Sequence, residues 1–489
     1  MLNTPFFPAW LNMLAPMGSR FTQTLRSVTA MTLAQLEIQF APCVPDWLFP
    51  KATEKLNSRD RIYTQLRTFW TFMGQCLNPK TSCREAVRQV QGLFKLHKGP
   101  HVSENDGAYC RARKRLKAET LRQTLAHSAK VADLVAPRTG LLQGRPIKAV
   151  DGSASTLADT PANRKAFPAP KTQHKLQTGF PLMRFVALFS LASGAILSVL
   201  QGNIHQAELR LFNLLLYTLE EGDIVIGDRA FGNFVALSLL QQIGVDLIAR
   251  SARHFDGRKA IKRLGKNDWL GHWKKGTNPS AILTLEQWTQ LPPEVTVRIV
   301  RGSLYQNGFR VRQVTLVTTL LDPILYPAQE ILRAYLRRWR MEMCLDDLKT
   351  TLGMETLRCH SPEMVEKEML MHLIAHNMIR WLMVQAATEY AVELERISFK
   401  GSMDGFRQFS HAMAQADSKK LRRSIWQELL RTLAADLVPN RPGRVEPRAV
   451  KRQRKKYPHL RMPRNKFRDR LKLSRLRTLA RLRKLGSAK

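Results

Sequence analysis

Two short apolar runs that lead into aspartates constrain the fold of this chain more than any other feature of its sequence. Ile147–Val150 runs into Asp151, and Asp223–Ile226 runs into Gly227 and Asp228. Short apolar runs bounded by turn residues are typical of buried strands. Helix-like segments alternate with these runs, so the sequence predicts a mixed α/β fold in which the first strands are antiparallel.

Each aspartate is predicted to lie directly after its strand, at the rim of the sheet where open α/β folds place their sites. Two carboxylates from neighbouring strands are suited to share a divalent ion. Mg²⁺ takes oxygen ligands and keeps waters that a substrate can replace. The alternative is structural, because aspartate often ends a strand for its turn geometry. Asp151 and Asp228 are therefore candidates for metal ligands.

The periodicity divides the chain into regions of different character. A basic helix from about Asp106 to Val135 predicts DNA contact near the N-terminus, although a solvated face of a helical bundle explains the same charges. An Asn307-Gly308 turn between two alternating segments predicts a hairpin. The predicted order is a helical N-terminal region (1–140), an α/β region (141–250), a β-rich insertion (251–325), two helical regions (326–390 and 391–440) and a basic tail (441–489).

Charge identifies the class of partner. The chain holds 78 Lys and Arg against 39 Asp and Glu, a formal net charge of +39. The tail alone carries 20 Lys and Arg against two acids, which is typical of solvated tails or of arms that order on nucleic acid. A surface of this kind attracts polyanions, and DNA is the usual one.

The same sequence argues against membrane and secreted classes. Its longest apolar stretch, Phe185–Leu200, is interrupted by serines and a glycine and is shorter than the roughly 20 residues of a membrane-spanning helix. No signal-peptide pattern opens the chain. The six cysteines form no CxxC pair, so we expect reduced thiols in a cytoplasmic protein.

Four side chains of the region 326–390 share one stripe of a predicted helix. Tyr335, Arg338, Glu342 and Lys349 map to about 0°, 300°, 340° and 320° at about 100° per residue. A stripe of one tyrosine, two cations and one acid is too polar to pack against a hydrophobic core. It suits a surface that holds a metal ion and contacts phosphates. The alternative is a set of ion pairs on an exposed helix. Asp346, at about 20° on the same stripe, competes with Glu342 for the acidic role.

Together these residues resemble a known family, the DDE transposases of bacterial insertion sequences, and within it the insertion sequence four family. That family has the signature Y-(2)-R-(3)-E-(6)-K, and the four residues of the stripe match every spacing. Asp151–Ser153 resembles the D-G-[ST] context of the first acid in this family. Asp228–Gly232 resembles the aromatic-Gly context of its second. The resemblance extends from about residue 60 to residue 385.

The resemblance implies a ribonuclease H-like catalytic core, formed by residues 141–250 and 326–390 and interrupted by the β-rich insertion. In such a core Asp151, Asp228 and Glu342 would be both the catalytic and the metal-binding residues. They would hold two Mg²⁺ ions, for which Mn²⁺ can substitute, and phosphoryl transfer would proceed between them.

The resemblance also implies how DNA is bound. Tyr335, Arg338 and Lys349 would contact DNA, with the two cations on phosphates next to the cut and the tyrosine on the terminal strand. Members of the family flip a base near the cut and brace it with a tryptophan. Three tryptophans of the insertion are candidates for that role, and at least two of them are expected simply to pack the insertion: Trp269, Trp273 and Trp288.

The function implied is cut-and-paste transposition. The enzyme would cleave the ends of an insertion sequence, proceed through hairpin ends and join the ends to target DNA. Its partners would be double-stranded DNA, as terminal inverted repeats and as target, and a second copy in a homodimer on DNA. The resemblance implies action at the nucleoid in a bacterial cytoplasm, without a membrane.

Two other functions stay open on the sequence. One is a DNA-binding regulator without catalysis, whose acids serve only structure. The other is a metal-dependent nuclease of the same fold that cuts but never joins strands. A second metal site is a weaker hypothesis. His372 and His376 have the i,i+4 spacing of a metal pair, but their helix is apolar, which favours core packing.

Overall fold

The computed structural model describes residues 39–49, 62–96, 98–136, 140–170, 179–251, 253–304, 312–439, 462 and 464–486. Three features singled out in the sequence lie outside these residues. They are the first 38 residues, the Asn307-Gly308 turn and the part of the basic tail between 440 and 461.

The N-terminal region is helical, as its sequence predicts. A 3-10 turn at Asp46–Leu48 precedes four helices: α1 (Gln65–Leu77), α2 (Cys83–Leu96), α3 (Gly107–Arg115) and α4 (Ala118–Val135). The Ser82 hydroxyl accepts a hydrogen bond from the backbone N–H of Glu85 at 3.2 Å, which is one half of a capping box at the start of α2.

The predicted single helix from Asp106 to Val135 is wrong, because the chain divides it into α3 and α4. Leu116 has an extended backbone, with ψ at 127°, and its side chain is 2% exposed. Burying this leucine in the core takes precedence over continuing the helix, since helix propensity is weak against tertiary packing. The basic residues of α3 consequently form a separate short element.

Eleven strands in the described residues form one mixed sheet. Their bounds are β1 (Leu141–Leu142), β2 (Arg145–Leu157), β3 (Leu182–Ser190), β4 (Ile196–Asn203), β5 (Ile224–Gly227), β6 (Asp246–Arg250), β7 (Lys262–Gly265), β8 (Asp268–Lys274), β9 (Glu294–Leu304), β10 (Arg312–Thr318) and β11 (Thr356–Leu357). The order is β4-β3-β2-β5-β6-β10-β9-β8-β7, and β1 and β11 both pair with β2.

The pairing between neighbouring strands changes twice across this sheet, from antiparallel to parallel and back to antiparallel. β4, β3 and β2 are antiparallel, β2, β5 and β6 are parallel, and β10 returns antiparallel to β6. The hairpin of β9 and β10 then carries β8 and β7 outward. The mixed α/β class and the antiparallel first strands are therefore confirmed, and the β-rich segment extends the same sheet rather than forming its own.

Hydrophobic layers cover both faces of the sheet. Four helices interleave with the strands: α5 (Pro161–Ala166), α6 (Glu208–Asn213), α7 (Phe234–Gln242) and α8 (Leu285–Gln290). Alternate residues of β2 divide between the layers, since Ala149 packs with the helical side and Val150 packs with α6 and α7. Such alternation is what a strand buried on both faces requires.

The C-terminal half returns to helix. After β10 come α9 (Ala328–Leu336), α10 (Trp339–Asp346), a π-helical turn (Asp347–Thr351), α11 (Pro362–Glu389), α12 (Phe399–Gln415), α13 (Lys419–Ala435) and α14 (Arg464–Gly486). α11 is buried along most of its length. Within the part of the chain that the structure describes, none of the helices has the length and apolar character needed to span a bilayer.

A buried amide joins α11 to the rest of the fold. Asn377 accepts a hydrogen bond from the Ile196 N–H at 2.7 Å and donates to the Ile196 carbonyl at 2.9 Å and to Ser128 Oγ at 3.1 Å. A fully satisfied buried amide fixes the position of every element that it touches. It ties α4 and β4 to α11, so the N-terminal helices and the sheet share one core.

Candidate active site

Asp151 lies inside a strand, not after one. β2 continues from Arg145 to Leu157, and Asp151 pairs with Ala187 of β3 in the middle of the strand. The prediction that it follows the strand is wrong because the small polar residues after Val150 conceal a strand that pairing with β3 imposes. Asp151 and Ser153 lie two positions apart and therefore point to the same face of the sheet.

The glycine after Asp151 leaves room for a neighbouring element. A β carbon on Gly152 would lie 2.8 Å from Cδ of Glu208, at the start of α6. Only glycine permits that close approach without displacing the glutamate. The Gly152 N–H donates to Oδ1 of Asp151 at 2.8 Å, which fixes the orientation of this carboxylate.

Asp228 follows β5 directly, as the sequence predicts. Its Oδ1 accepts a hydrogen bond from the Ala230 N–H at 2.8 Å, so the carboxylate begins a tight turn. Phe231 anchors that turn in the core against Phe212, with ring centroids 5.2 Å apart. A β carbon on Gly232 would lie 2.0 Å from the Arg250 carbonyl oxygen. The aromatic-Gly pair therefore holds the turn against β6.

The segment that carries Glu342 is not the single regular helix that the sequence predicts. α9 ends at Leu336, Arg338 caps α10, and Lys349 lies in the π-helical turn that follows. A π-turn holds more residues than an α-turn, so a spacing of 100° per residue fails at Lys349. Turns of this kind are frequent at functional sites because they redirect a side chain.

Arg338 lies between two of the three candidate acids. Its Nη2 donates to Oε1 of Glu342 at 2.7 Å, and its Nη1 lies 3.9 Å from Oδ2 of Asp151. The Nε of Arg338 is buried without a hydrogen-bond partner among the described groups. The Arg338 guanidinium thus bridges β2 and α10. Its Nε–H remains a hydrogen-bond donor that no group in the described chain accepts.

Lys349 and Tyr335 reach the same neighbourhood from either side. Lys349 Nζ donates to Ser153 Oγ at 3.2 Å, which places the ammonium beside the strand of Asp151. Tyr335 is 4% exposed, and the guanidinium carbon of Arg338 lies 6.0 Å from its ring centroid. Burial raises the pKa of Tyr335 and the charge of Asp228 raises it further, whereas the positive charge of Arg338 lowers it.

The electrostatics of Asp151 report on all three acids. Its pKa is raised to about 6, first because the carboxyl is buried, while the Gly152 N–H and Arg338 lower it. The negative charges of Asp228 and Glu342 raise it as well. Asp228 and Glu342 therefore both lie near enough to Asp151 for their charges to act on its carboxyl.

The donor set suits a hard divalent cation by its chemistry. All three acids offer carboxylate oxygens, the ligands that Mg²⁺ prefers. Burial is the main cause of the raised pKa of Asp151, and a bound cation would favour its ionised form. Among the described residues, however, no group of three or more His, Cys, Asp or Glu side chains is arranged closely enough to hold an ion. Arg338 at present supplies the positive charge between Asp151 and Glu342.

Sequence reasoning missed Ser153 as a contact of this site. The alternation of a strand through Asp151 would have placed its hydroxyl on the same face, and the D-G-[ST] context contains it. The π-turn that holds Lys349 has no comparable signal in the sequence, and the hydrogen bond from Lys349 to Ser153 joins residues 196 positions apart.

The histidines and two of the tryptophans serve packing, as the simpler interpretation of the sequence predicts. His372 and His376 are buried in α11, and burial lowers their pKa to about 4 and about 3. Trp273 and Trp288 are 5% and 8% exposed and pack in the core of the β-rich segment. Trp269 is half-buried, and its ring lies 5.4 Å from the guanidinium carbon of Arg301.

The chain is similar to known transposases. Residues 142–378 match the family model described as a transposase DDE domain. The transposase InsG for insertion sequence element IS4, from Escherichia coli strain K12, is 26% identical over 400 residues, which are 80% of this chain and 85% of that protein. A solved structure, that of the piggyBac transposase synaptic complex with hairpin DNA, aligns over 88% of each chain with 8% identity and a TM-score of 0.36, a likeness too distant to bear on the chemistry.

Proposed function

The chain belongs to the DDE transposases of the insertion sequence four family, and from that premise we propose how its side chains carry out transposition. The enzyme is a DNA transposase. We propose that it cleaves the ends of an insertion sequence through hairpin intermediates and joins them to target DNA. The observation that carries this proposal is the bridge from Asp151 through Arg338 to Glu342 within the matched domain.

We propose that the catalytic core is ribonuclease H-like. The order β4-β3-β2-β5-β6, with three antiparallel strands followed by two parallel ones, supports this assignment. Asp151 on the central strand, Asp228 after the adjacent strand and Glu342 on a helix packed against β2 would form its acidic site.

The three acids are proposed to hold divalent metal. Two Mg²⁺ ions, or Mn²⁺ in their place, would activate the attacking water or 3′-hydroxyl and stabilise the leaving oxygen. The residues of the chain prepare that chemistry. The Gly152 N–H holds the Asp151 carboxylate in orientation, and the Ala230 N–H does the same for Asp228.

Arg338 and Lys349 are proposed to bind the phosphates next to the cut. Arg338 has an unsatisfied buried Nε, which is a donor available to a phosphate oxygen. Ser153 fixes the Lys349 ammonium beside Asp151, so a hydroxyl and a cation could donate to the same oxygen. Tyr335 is buried against Arg338, so it supports the hold on the terminal strand by positioning the guanidinium.

The remaining regions keep the roles that the sequence suggests. The helices within 1–140 are proposed to bind DNA, since α2 and α3 expose Arg84, Arg88, Arg111, Lys114 and Arg115. Residues 251–325 are proposed as the insertion that interrupts a core of 141–250 and 326–390, followed by the helical region 391–440. Two ends must be held together for joining, so a homodimer on DNA is proposed, acting at the nucleoid in the cytoplasm.

The test uses duplex DNA that carries the chromosomal sequences flanking this gene, with Mg²⁺. The wild type should release the element's ends and join them to a second duplex. Asp228→Asn should lose both products, whereas Asp417→Asn, which alters an exposed aspartate far along the sequence, should lose neither. A wild type and an Asp228→Asn variant that leave the same uncut DNA would favour a non-catalytic regulator. Cleavage without joined product would favour a nuclease.

A further inference from the structure

The last helix of the chain is a dense and exposed cationic surface. α14 contains ten Lys and Arg and one Asp in 23 residues. Its described cationic side chains are all exposed: Lys466, Arg468, Arg470, Lys472, Arg475 and Arg477. At about 100° per residue these positions form two groups on opposite sides of the helix, one within about 0° to 40° of Lys466 and the other at about 180° to 240°. Positive charge is therefore presented on two opposite faces.

The apolar residues of α14 do not form a packing face. Leucines recur at every third position from Leu473 to Leu485, and three residues advance a helix by about 300°, so this row winds around the axis. A coiled coil needs alternating spacings of three and four, and a membrane-surface helix needs one continuous apolar side. Leu473 and Leu476 are 56% and 62% exposed, in agreement with the lack of a seam.

We propose that α14 is a DNA-binding helix that contacts the phosphate backbone of duplex DNA without reading its sequence. A helix of 23 residues is about 34 Å long, which matches one turn of duplex DNA at about 34 Å. Its length lets it cross both phosphate strands of one turn. The proposal rests on the proposed function only in taking duplex DNA as the partner, and it adds a binding surface outside the catalytic domain.

The positive charge of α14 favours DNA over a second copy of the chain as its binding partner. A second copy of α14 would meet it with the same sign of charge, which disfavours self-association. Phosphates spaced along a duplex supply the complementary charge, and each contact releases a counterion. Binding through α14 is therefore expected to be insensitive to sequence and strongly sensitive to salt.

The experiment compares two full-length variants that remove the same charge. Lys466, Lys472 and Arg475 of α14 are replaced by glutamine in one, and Lys419, Lys420 and Arg423 of α13 in the other. Both sets contain two lysines and one arginine, all exposed, and glutamine is a good helix former. Affinity for a 30-base-pair duplex unrelated to the element is measured across a salt series.

The α14 variant should bind this duplex roughly tenfold more weakly, and its plot of log affinity against log salt should be shallower by about 2 to 3, close to 0.9 for each phosphate that is no longer neutralised. The α13 variant should follow the wild type. Equal weakening in the two variants would overturn the proposal, because only net charge would then matter. A changed oligomeric state with an unchanged salt slope would overturn it in favour of an interface between copies.

An assay of the cleavage of end-bearing DNA distinguishes the proposed DNA binding by α14 from the proposed catalytic function. At low salt the α14 variant should cut at the wild-type rate, since its active site is unaltered. If the wild type itself does not cut, the proposed catalytic function fails while the salt comparison still stands on its own. Unchanged duplex binding by a variant that cuts normally would refute the role of α14 alone.

Discussion

Two arginines, one in the sheet and one at the start of a helix, bind carboxylates in opposite ways. Arg298 of β9 is 0% exposed and donates to both oxygens of Asp268, at 2.8 and 2.6 Å. Its remaining Nη donates to the carbonyls of Leu320, Asp322 and Tyr326. Arg338 binds one acid closely and another at 3.9 Å, and its Nε has no partner among the described groups.

The difference separates an arginine whose contacts are complete from one that can still bind a ligand. Every guanidinium nitrogen of Arg298 donates a hydrogen bond, and its charge is balanced by the single charge of Asp268. We call this a closed cluster, because it has no donor left for a ligand. Around Arg338 the acids outnumber the cation, and a donor is left over. Unsatisfied buried groups and perturbed carboxylates collect where a ligand is to bind, and that is the distinction that the following experiments test.

The largest effect is expected at the acid that Arg338 binds. Glu342→Gln should reduce cleavage of end-bearing DNA by about 10³-fold or more, equivalent to about 4 kcal/mol, because one of three charged ligands is removed. DNA binding, measured by gel shift, should remain near the wild-type value. Asp346→Asn on the same helix is the matched control and should cut normally. Normal cleavage by Glu342→Gln together with loss of cleavage by Asp346→Asn would assign the catalytic acid to Asp346 instead.

The next effect concerns stability at the closed cluster. Arg298→Met should lower the free energy of unfolding by about 3 to 5 kcal/mol, because Asp268 would be left buried without its partner. The double variant Arg298→Met with Asp268→Leu should recover much of that loss. Arg338→Met should cost less, about 1 to 2 kcal/mol, because its close partner Glu342 is half-exposed and Asp151 lies 3.9 Å away. Equal destabilisation at Arg298 and Arg338, by urea unfolding, would remove the distinction between them.

A buried acid directly after the helix that carries Glu342 should make stability depend on pH. Burial raises the pKa of Asp347 to about 7, and Asp346 adds to the rise while Arg380 opposes it. Between about pH 4 and 7 the folded chain therefore keeps a proton that the unfolded chain releases, so stability falls as pH rises through this range. Asp347→Asn should remove that slope and gain about 2 kcal/mol at pH 8. A thermal midpoint with the same pH slope in both proteins would contradict it.

The smallest effect is expected at the hydroxyl that contacts Lys349. Ser153→Ala should slow cleavage by about tenfold, near 1.4 kcal/mol, because the ammonium loses its acceptor beside Asp151. Ser153→Thr keeps a hydroxyl and should restore most of the rate. Ser155→Ala is the control on the same face of β2, since the Ser155 hydroxyl is buried without a partner among the described groups. A purely structural Ser153 would show equal rates for alanine and threonine.

Local sequence patterns were sufficient where one element determines its own structure. β3 coincides with an apolar run at Leu182–Ser190, α7 begins after the capping side chain of Asn233, and Asp228 follows its strand as expected. These segments combine apolar runs with capping or turn residues, so the signal lies within a few residues. The order of the three candidate acids along the chain could be predicted for the same reason.

The features that escaped prediction depend on partners distant in sequence. The second half of β2 is a strand because β3 and β11 pair with it, although Gly152–Thr156 is small and polar. After the break at Arg338 and through the π-turn at Lys349, the side chains of both residues contact β2, at Asp151 and Ser153. Periodicity within one segment contains none of this information, because long-range pairing overrides local propensity.

The return of β10 to β6 has an evolutionary consequence. Leu316, Val317 and Thr318 align with Arg250, Ala249 and Ile248, so the chain leaves the parallel strands and comes back at a fixed register. In evolution the segment between these two strands can therefore change in length or composition while Glu342 keeps its position. The position of the helix that carries Glu342 therefore depends on the pairing of β10 with β6 and not on the length of the segment between these strands.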